Sequence, residues 1–160
     1  MKNVKSNWDP ESLYLYVVVR QDLDSMGRGR AASQVAHSAN QMVYEHFIKD
    51  KGTATEVSRK FVSDWMNQTP YGFGTQITKK VKTVGDLEDL LSKLSSQNYG
   101  DIPVVFGITI DPEYYVPDGE AGHMVKNVPT ALYCLLPRDH KITEALIRPI
   151  ELLDNDPPVR

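Results

Sequence analysis

Apolar positions along the chain fall into two kinds of stretch. Residues 13–19, Leu-Tyr-Leu-Tyr-Val-Val-Val, are almost continuous in β-branched and aromatic side chains. That is the pattern of a strand covered on both faces. Residues 76–82 alternate Ile77, Lys79 and Val81 with polar or basic neighbours, which predicts a more peripheral strand. Residues 102–108 and 130–136 are apolar again, and Pro137 closes the latter run. Helical spacing occupies about 29–49, 55–66, 84–94 and 141–147. Strands alternating with helices predict an α/β sandwich rather than segregated elements.

The first helix has the clearest periodicity. Ala32, Val35, Ala36, Ala39, Met42, Val43, His46 and Phe47 form one stripe, expected to face a sheet. Arg30, Gln34, His37 and Gln41 recur at i, i+4, i+7 and i+11 and predict a second stripe on the opposite side. Upstream, Asp22, Asp24 and Ser25 are candidate caps, and Gly27 and Gly29 let the chain turn out of the strand. Residues 111–129 hold three prolines and two glycines without a sustained period, which predicts a long loop of the functional kind. The domain is expected over 13–153, with tails at 1–12 and 154–160.

Composition narrows the classes. With 41% hydrophobic and 24% charged residues, 160 residues suffice for one globular domain with its own core. No apolar run approaches the roughly 20 residues that span a bilayer, so no membrane association is expected. The first residues lack the apolar stretch of a secretory signal, and cytoplasm is the expected compartment. Cys134 is the sole cysteine, which excludes an internal disulfide, a cysteine-based zinc cluster and a redox pair. The net charge of −3 is unevenly spread. Residues 20–82 carry ten Lys/Arg against six Asp/Glu, and the remainder eight against fifteen. Such a balance permits a basic face that attracts phosphates, without demanding one.

Gly27-Arg-Gly-Arg30 after a strand invites a phosphate-loop reading, but it lacks the third glycine of the dinucleotide fingerprint and the Gly-Lys-Ser/Thr of a P-loop. Two readings stay open: an anion site at a helix start, or a glycine hinge with two solvated arginines. The stripe Arg30/Gln34/His37 is equally either a functional row or an ordinary solvated face.

The run Val18-Val-Arg-Gln-Asp-Leu23, continued by Met26-Gly-Arg-Gly-Arg-Ala-Ala-Ser-Gln-Val-Ala-His37, resembles the opening strand, glycine loop and helix of class II peptidyl-tRNA hydrolases. Ile108-Thr-Ile-Asp111 and Thr130-Ala-Leu-Tyr-Cys-Leu-Leu-Pro137 resemble that family's later strands more loosely. The resemblance implies a three-layer α/β/α sandwich with a four-stranded mixed sheet. It implies hydrolysis of the ester joining a peptide to the 3′-terminal ribose of tRNA, without metal or cofactor. Arg30 stands where the family has a functional lysine, Gln34 and His37 match directly, Asp111 takes the place of the functional aspartate, and Thr130 opens the last strand. Arg20, Arg28, Gln41 and Lys126 complete the expected set as substrate-binding residues. tRNA is the implied partner, and a homodimer is expected from the family's habit.

The chemistry suits those residue types. Ester hydrolysis needs a positioned water, a group to orient it and charge stabilisation for the oxyanion. In the implied roles Asp111 orients the water, and Arg30 holds a phosphate or the oxyanion. Two departures separate this chain from the pattern. Arginine replaces lysine at Arg30, keeping charge but exchanging a point ammonium for a planar fork. The stretch between Asp111 and Thr130 is rebuilt and seven residues longer, so Lys126 or His123 would have to replace groups the family supplies there. The alternative is therefore a non-catalytic member that binds tRNA, nucleotide or protein. Asp111 itself has a plainer role open to it, closing a turn at a strand end. Among the rest, His46, Trp8 and Trp65 read as packing residues and His140 as a cap. Tyr71, Tyr114 and Tyr115 read as loop aromatics able to stack a base.

Overall fold

The computed structural model describes residues 6–49, 54–117 and 121–153; the C-terminal tail expected at 154–160 lies outside them. Four strands, β1 (Leu13–Arg20), β2 (Gln76–Val81), β3 (Phe106–Val116) and β4 (His123–Pro137), form one sheet in the order β2-β1-β4-β3. β1 and β2 run parallel, whereas β1/β4 and β4/β3 are antiparallel, so the sheet is mixed. A parallel neighbour requires a crossover. Here α1 (Arg28–Val43), extended by a π-helical turn Tyr44–Ile48, and α2 (Glu56–Met66) supply it. α3 (Val84–Ser95) leads from β2 toward β3.

Strand alternation assigns the layers. Thr109 and Tyr133 meet Ser38 and His46 of the α1 segment on one face. Phe106 stacks on Tyr99, which follows α3, on the other. The α/β/α sandwich is thus built around β1, whose Leu13, Leu15, Val17, Val18 and Val19 are wholly buried. As its unbroken apolar run predicts, this strand is covered from both sides. Trp8 meets Phe61 edge-on and Trp65 is buried, so both tryptophans pack.

α2 and α3 begin with capping boxes, Thr55 with Ser58 and Thr83 with Asp86. α1 does not: its N-cap is Gly27, with no side-chain cap and no acidic residue in the first turn. Two of the three expected caps are engaged elsewhere. Asp22 pairs with Arg20, and Ser25 donates to the Tyr115 carbonyl. The last expected helix is a short π-helical turn, Thr143–Ile147, preceded by His140, whose Nδ1 accepts from the Ile142 amide. Beyond it the chain lies along β2: the Lys80 amide donates to Glu151 O and the Leu153 amide to Thr78 O. The buried Lys79 ammonium donates to Ile150 O, fixing that cover on the edge strand.

Two expectations fail together at the hairpin. Residues 111–116 and 123–129 are strand rather than loop: β3 runs on to Val116 and β4 starts at His123, pairing Glu113 with Lys126, Tyr114 with Val125 and Tyr115 with Met124. The third strand also starts at Phe106, since residues 102–105 with Pro103 form an irregular approach anchored by buried Ile102 and Val105. Pro112 is tolerated because β3 is an edge strand whose outer side needs no N–H donor. Asn127 takes the left-handed conformation (φ 56°) that asparagine accepts more readily than most residues.

Gly74 shows how tightly the turn before β2 is packed. A Cβ there would lie 2.3 Å from the backbone carbonyl of Trp65, which cannot swing away as a side chain can. Gly74→Ala is expected to cost about 2 kcal/mol through overpacking, read as a melting temperature lowered by several degrees. An unchanged melting curve would refute that packing.

Candidate active site

A register change between β3 and β4 creates the site. Thr109 pairs with Ala131, yet Ile110 pairs with Pro129, leaving Thr130 as an extra residue in β4. Such a bulge re-aims a side chain. Thr130, fully buried, here turns its hydroxyl toward α1 and donates to Gln34 Oε1 at 2.6 Å. Gln34 in turn donates through Nε2 to Asp111 Oδ2 at 2.8 Å. The other carboxylate oxygen, Oδ1, accepts the Glu113 amide at 3.0 Å.

The direction of this chain is fixed by chemistry. An ionised carboxylate only accepts, so the amide must present its NH₂ to Asp111 and its oxygen to Thr130, whose hydroxyl must donate. One turn further along α1, Ser38 bonds to Gln34 O at 2.9 Å and to Thr109 Oγ1 at 2.7 Å. Each carboxylate oxygen of Asp111 keeps a lone pair beyond the bond described, and the residue is partly exposed. A water can therefore be held there in one orientation.

This network turns part of the expected polar row of α1 inward. The buried residues are Ala31, Gln34, Ser38 and Met42, while Ala32 and Ala36 are exposed. The expected apolar stripe still packs on the core through Val35, Ala39, Met42, Val43, His46 and Phe47, but Gln34 and Ser38 are drawn in beside it, because the sheet beneath them offers hydroxyls and a carboxylate rather than hydrocarbon. Gln41 belongs to the inward row as well, donating to Ile108 O at 3.0 Å.

Arg30, one turn before Gln34, lies against the hairpin. Its Nη1 donates to Tyr115 O at 2.8 Å and to Ser25 Oγ at 3.1 Å. Its guanidinium carbon sits 5.4 Å from the Tyr114 ring centroid and 5.1 Å from that of Tyr115. A planar fork can stack on two rings while donating in its own plane, which an ammonium cannot do. The replacement of lysine thus has a structural counterpart in the hairpin. Nη2 and Nε carry no bond among the described residues, leaving donors for an anion.

The other expected residues are less closely drawn in. His37 is exposed beside Gln34 on α1 and makes no side-chain hydrogen bond among the described residues. Arg20 braces the bulge, donating to Pro129 O at 3.1 Å and pairing bidentately with Asp22. That guanidinium holds the Asp22 carboxyl below the ordinary carboxylate range. Arg28 is exposed in the first turn of α1, and Lys126 is exposed on β4 opposite Glu113. Tyr114 is a buried strand residue rather than an exposed loop aromatic, its hydroxyl near Ser25 and Met26. Tyr71 is an exposed loop residue stacked on Phe73. It precedes β2, whereas the site lies beyond the C-terminal end of the parallel β1. His46 is buried, its Nε2 against the Tyr133 hydroxyl, and desolvation pushes its pKa down so that it stays neutral.

Sequence reasoning took Ser25 for a helix cap and passed over Ser38 and Thr109. Hydroxyls on a helix face or strand carry no periodic signal until register places them together. Among the described residues no group of three or more His, Cys, Asp or Glu side chains is arranged to hold a metal ion.

A family model described as peptidyl-tRNA hydrolase PTH2 matches residues 13–105 of the chain. The matched span carries β1, α1, α2, β2 and α3 and ends before Asp111 and Thr130. No curated protein matches the sequence.

Proposed function

Since the chain belongs to the peptidyl-tRNA hydrolase PTH2 family, we propose that it hydrolyses the ester linking a peptide to the 3′-terminal ribose of tRNA, with Asp111 as the group that orients water. The observation carrying this reading is the Thr130–Gln34–Asp111 chain, which holds a carboxylate in one rotamer beside the matched strand, loop and helix.

The steps follow from the groups present. Water donates one hydrogen bond to a free lone pair of Asp111, and its oxygen attacks the acyl carbon. Charge gathers on the carbonyl oxygen, where the unused Nη2 and Nε donors of Arg30 stabilise it or hold a neighbouring phosphate. As the C–O bond breaks, the proton that the attacking water gives up at Asp111 passes to the ribose oxygen, leaving free peptide acid and tRNA. His37, exposed beside Gln34, contacts the terminal nucleotide or relays that proton. Gln34 is a positioning residue, since both ends of its amide are already used. The open N-terminus of α1, with Arg28 in its first turn, favours the phosphates of the acceptor end.

The test is peptide release from an N-blocked aminoacyl-tRNA by the purified chain, followed against enzyme concentration. Turnover proportional to enzyme is the expected result. No cleavage above buffer at high enzyme concentration would overturn the hydrolase reading. A second reading, tRNA binding without hydrolysis, has one observation in its favour: Arg30 Nη1 is already committed to Ser25 and Tyr115. Affinity that falls steeply with salt, in the absence of turnover, would select it.

A further inference from the structure

We infer that the ring of Tyr115 is a stacking platform for the unpaired 3′-terminal base of the tRNA, a role that rests on the hydrolase reading for the identity of its ligand. The ring is held by three features of the hairpin. Its main-chain carbonyl accepts from Arg30 Nη1 and Ser25 Oγ, which pins the backbone. The guanidinium of Arg30 lies 5.1 Å from its centroid. Its hydroxyl end occupies the space that a Cβ on Gly122 would fill, and Gly122 adopts φ 40°. Despite these restraints 40% of the residue remains exposed.

An aromatic ring pinned in place and still open to solvent is poised to bind a flat partner with little further loss of side-chain freedom. The cation against it adds to its attraction for a nucleotide, whose base stacks while its phosphate meets positive charge. The cross-strand neighbour Met124, also exposed, widens the apolar surface beside the ring. Position agrees with this use. Tyr115 follows Asp111 by four residues, about 13 Å of strand, and both contact α1, through Arg30 and Gln34. A terminal base on Tyr115 leaves its ribose ester to reach back toward Asp111. The rebuilt stretch after Asp111 then has a purpose: it forms an arm that presents this ring.

The experiment uses uncharged tRNA with 2-aminopurine as its terminal base, titrated with the full chain and with Tyr115→Leu and Tyr115→Phe. Stacking quenches the fluorophore. Quenching is expected with the unaltered chain and Tyr115→Phe, and its loss with Tyr115→Leu, together with about tenfold weaker affinity. A second arm uses tRNA lacking the terminal nucleotide, for which Tyr115→Leu and the unaltered chain should bind alike. Absence of quenching with the unaltered chain, or quenching unaffected by Tyr115→Leu, overturns the platform. So does equal weakening of full-length and truncated tRNA, which would mean that the ring merely props Arg30. If quenching depends on Tyr115 but no ester is cleaved, the platform stands and the hydrolase reading falls.

Discussion

Asp111→Asn is expected to lower peptide release by about a hundredfold to ten-thousandfold, the range for losing a group that orients or deprotonates the attacking water. The substitution keeps shape and removes charge. Its amide cannot satisfy both present donors, since Gln34 Nε2 and the Glu113 amide each point at a different carboxylate oxygen. One of them must face an NH₂. Gln34 could answer by reversing its own amide and accepting from the new NH₂, with Thr130 then switching from donor to acceptor. With that rearrangement the fold keeps its three hydrogen bonds and exchanges charge-assisted ones for neutral ones, a loss of at most about 1 kcal/mol, while the reaction loses its ionic acceptor for water. Single-turnover hydrolysis and a thermal melt on the same preparation separate the two effects. Activity within a few-fold of the unaltered chain would remove Asp111 from the mechanism.

That separation matters because the two halves of the site were legible to different degrees. β1 and the start of α1 are local: an unbroken apolar run, two glycines and a helical period specify them within one stretch of chain. The inward face of α1 was legible in its apolar members, Val35, Ala39, Met42 and Val43, but not in its polar ones, for a physical reason. Hydrophobic periodicity assumes that the buried side is the apolar one, and Gln34 and Ser38 break that assumption by meeting Asp111, Thr130 and Thr109. A buried polar row of this kind is legible only once its partners' positions are known.

The hairpin was hidden differently. Pro112, Pro117, Pro129 and Gly122 read as punctuation of a loop, yet Pro112 sits on the open edge of β3. Pro129 pairs with Ile110 beside the bulge, its carbonyl accepting from Arg20. Neither proline interrupts a bond that the sheet requires. The residues around them did alternate, with Val125 and Val128 turned inward more than their neighbours, but only across gaps set by the bulge and Asn127. Register is a property of two strands together, so no single strand's pattern can disclose it. Asp111 illustrates the result. It serves the turn role open to a carboxylate before proline, by accepting the Glu113 amide, and it still has an oxygen free for Gln34.

Gln34→Glu tests whether that oxygen depends on its donor. The change preserves length and keeps an acceptor for Thr130, but sets a second carboxylate against Asp111 Oδ2 where 2.8 Å now separates donor from acceptor. Gln34 is only 3% exposed, so water cannot screen the pair. Two carboxylates at that distance do not both ionise readily; they share a proton, and the upper apparent pKa of the pair rises above the ordinary carboxylate range. The sign follows. Folding raises that pKa relative to the unfolded chain, so the variant is most stable below the unfolded carboxylate value, about 4.3. It loses stability as pH climbs through the raised value. At neutral pH the loss is expected to be about 3 kcal/mol, a melting temperature lower by about 10 °C for a chain of this size. Below the raised value the introduced carboxyl is protonated and donates to Asp111 as the amide did, so peptide release should recover as pH falls. A structural filler at position 34 would give a pH-independent defect instead. Melting temperature and single-turnover rate, each followed from neutral pH downward, distinguish the two outcomes, and a defect that does not shrink on acidification would show that Asp111 works without Gln34.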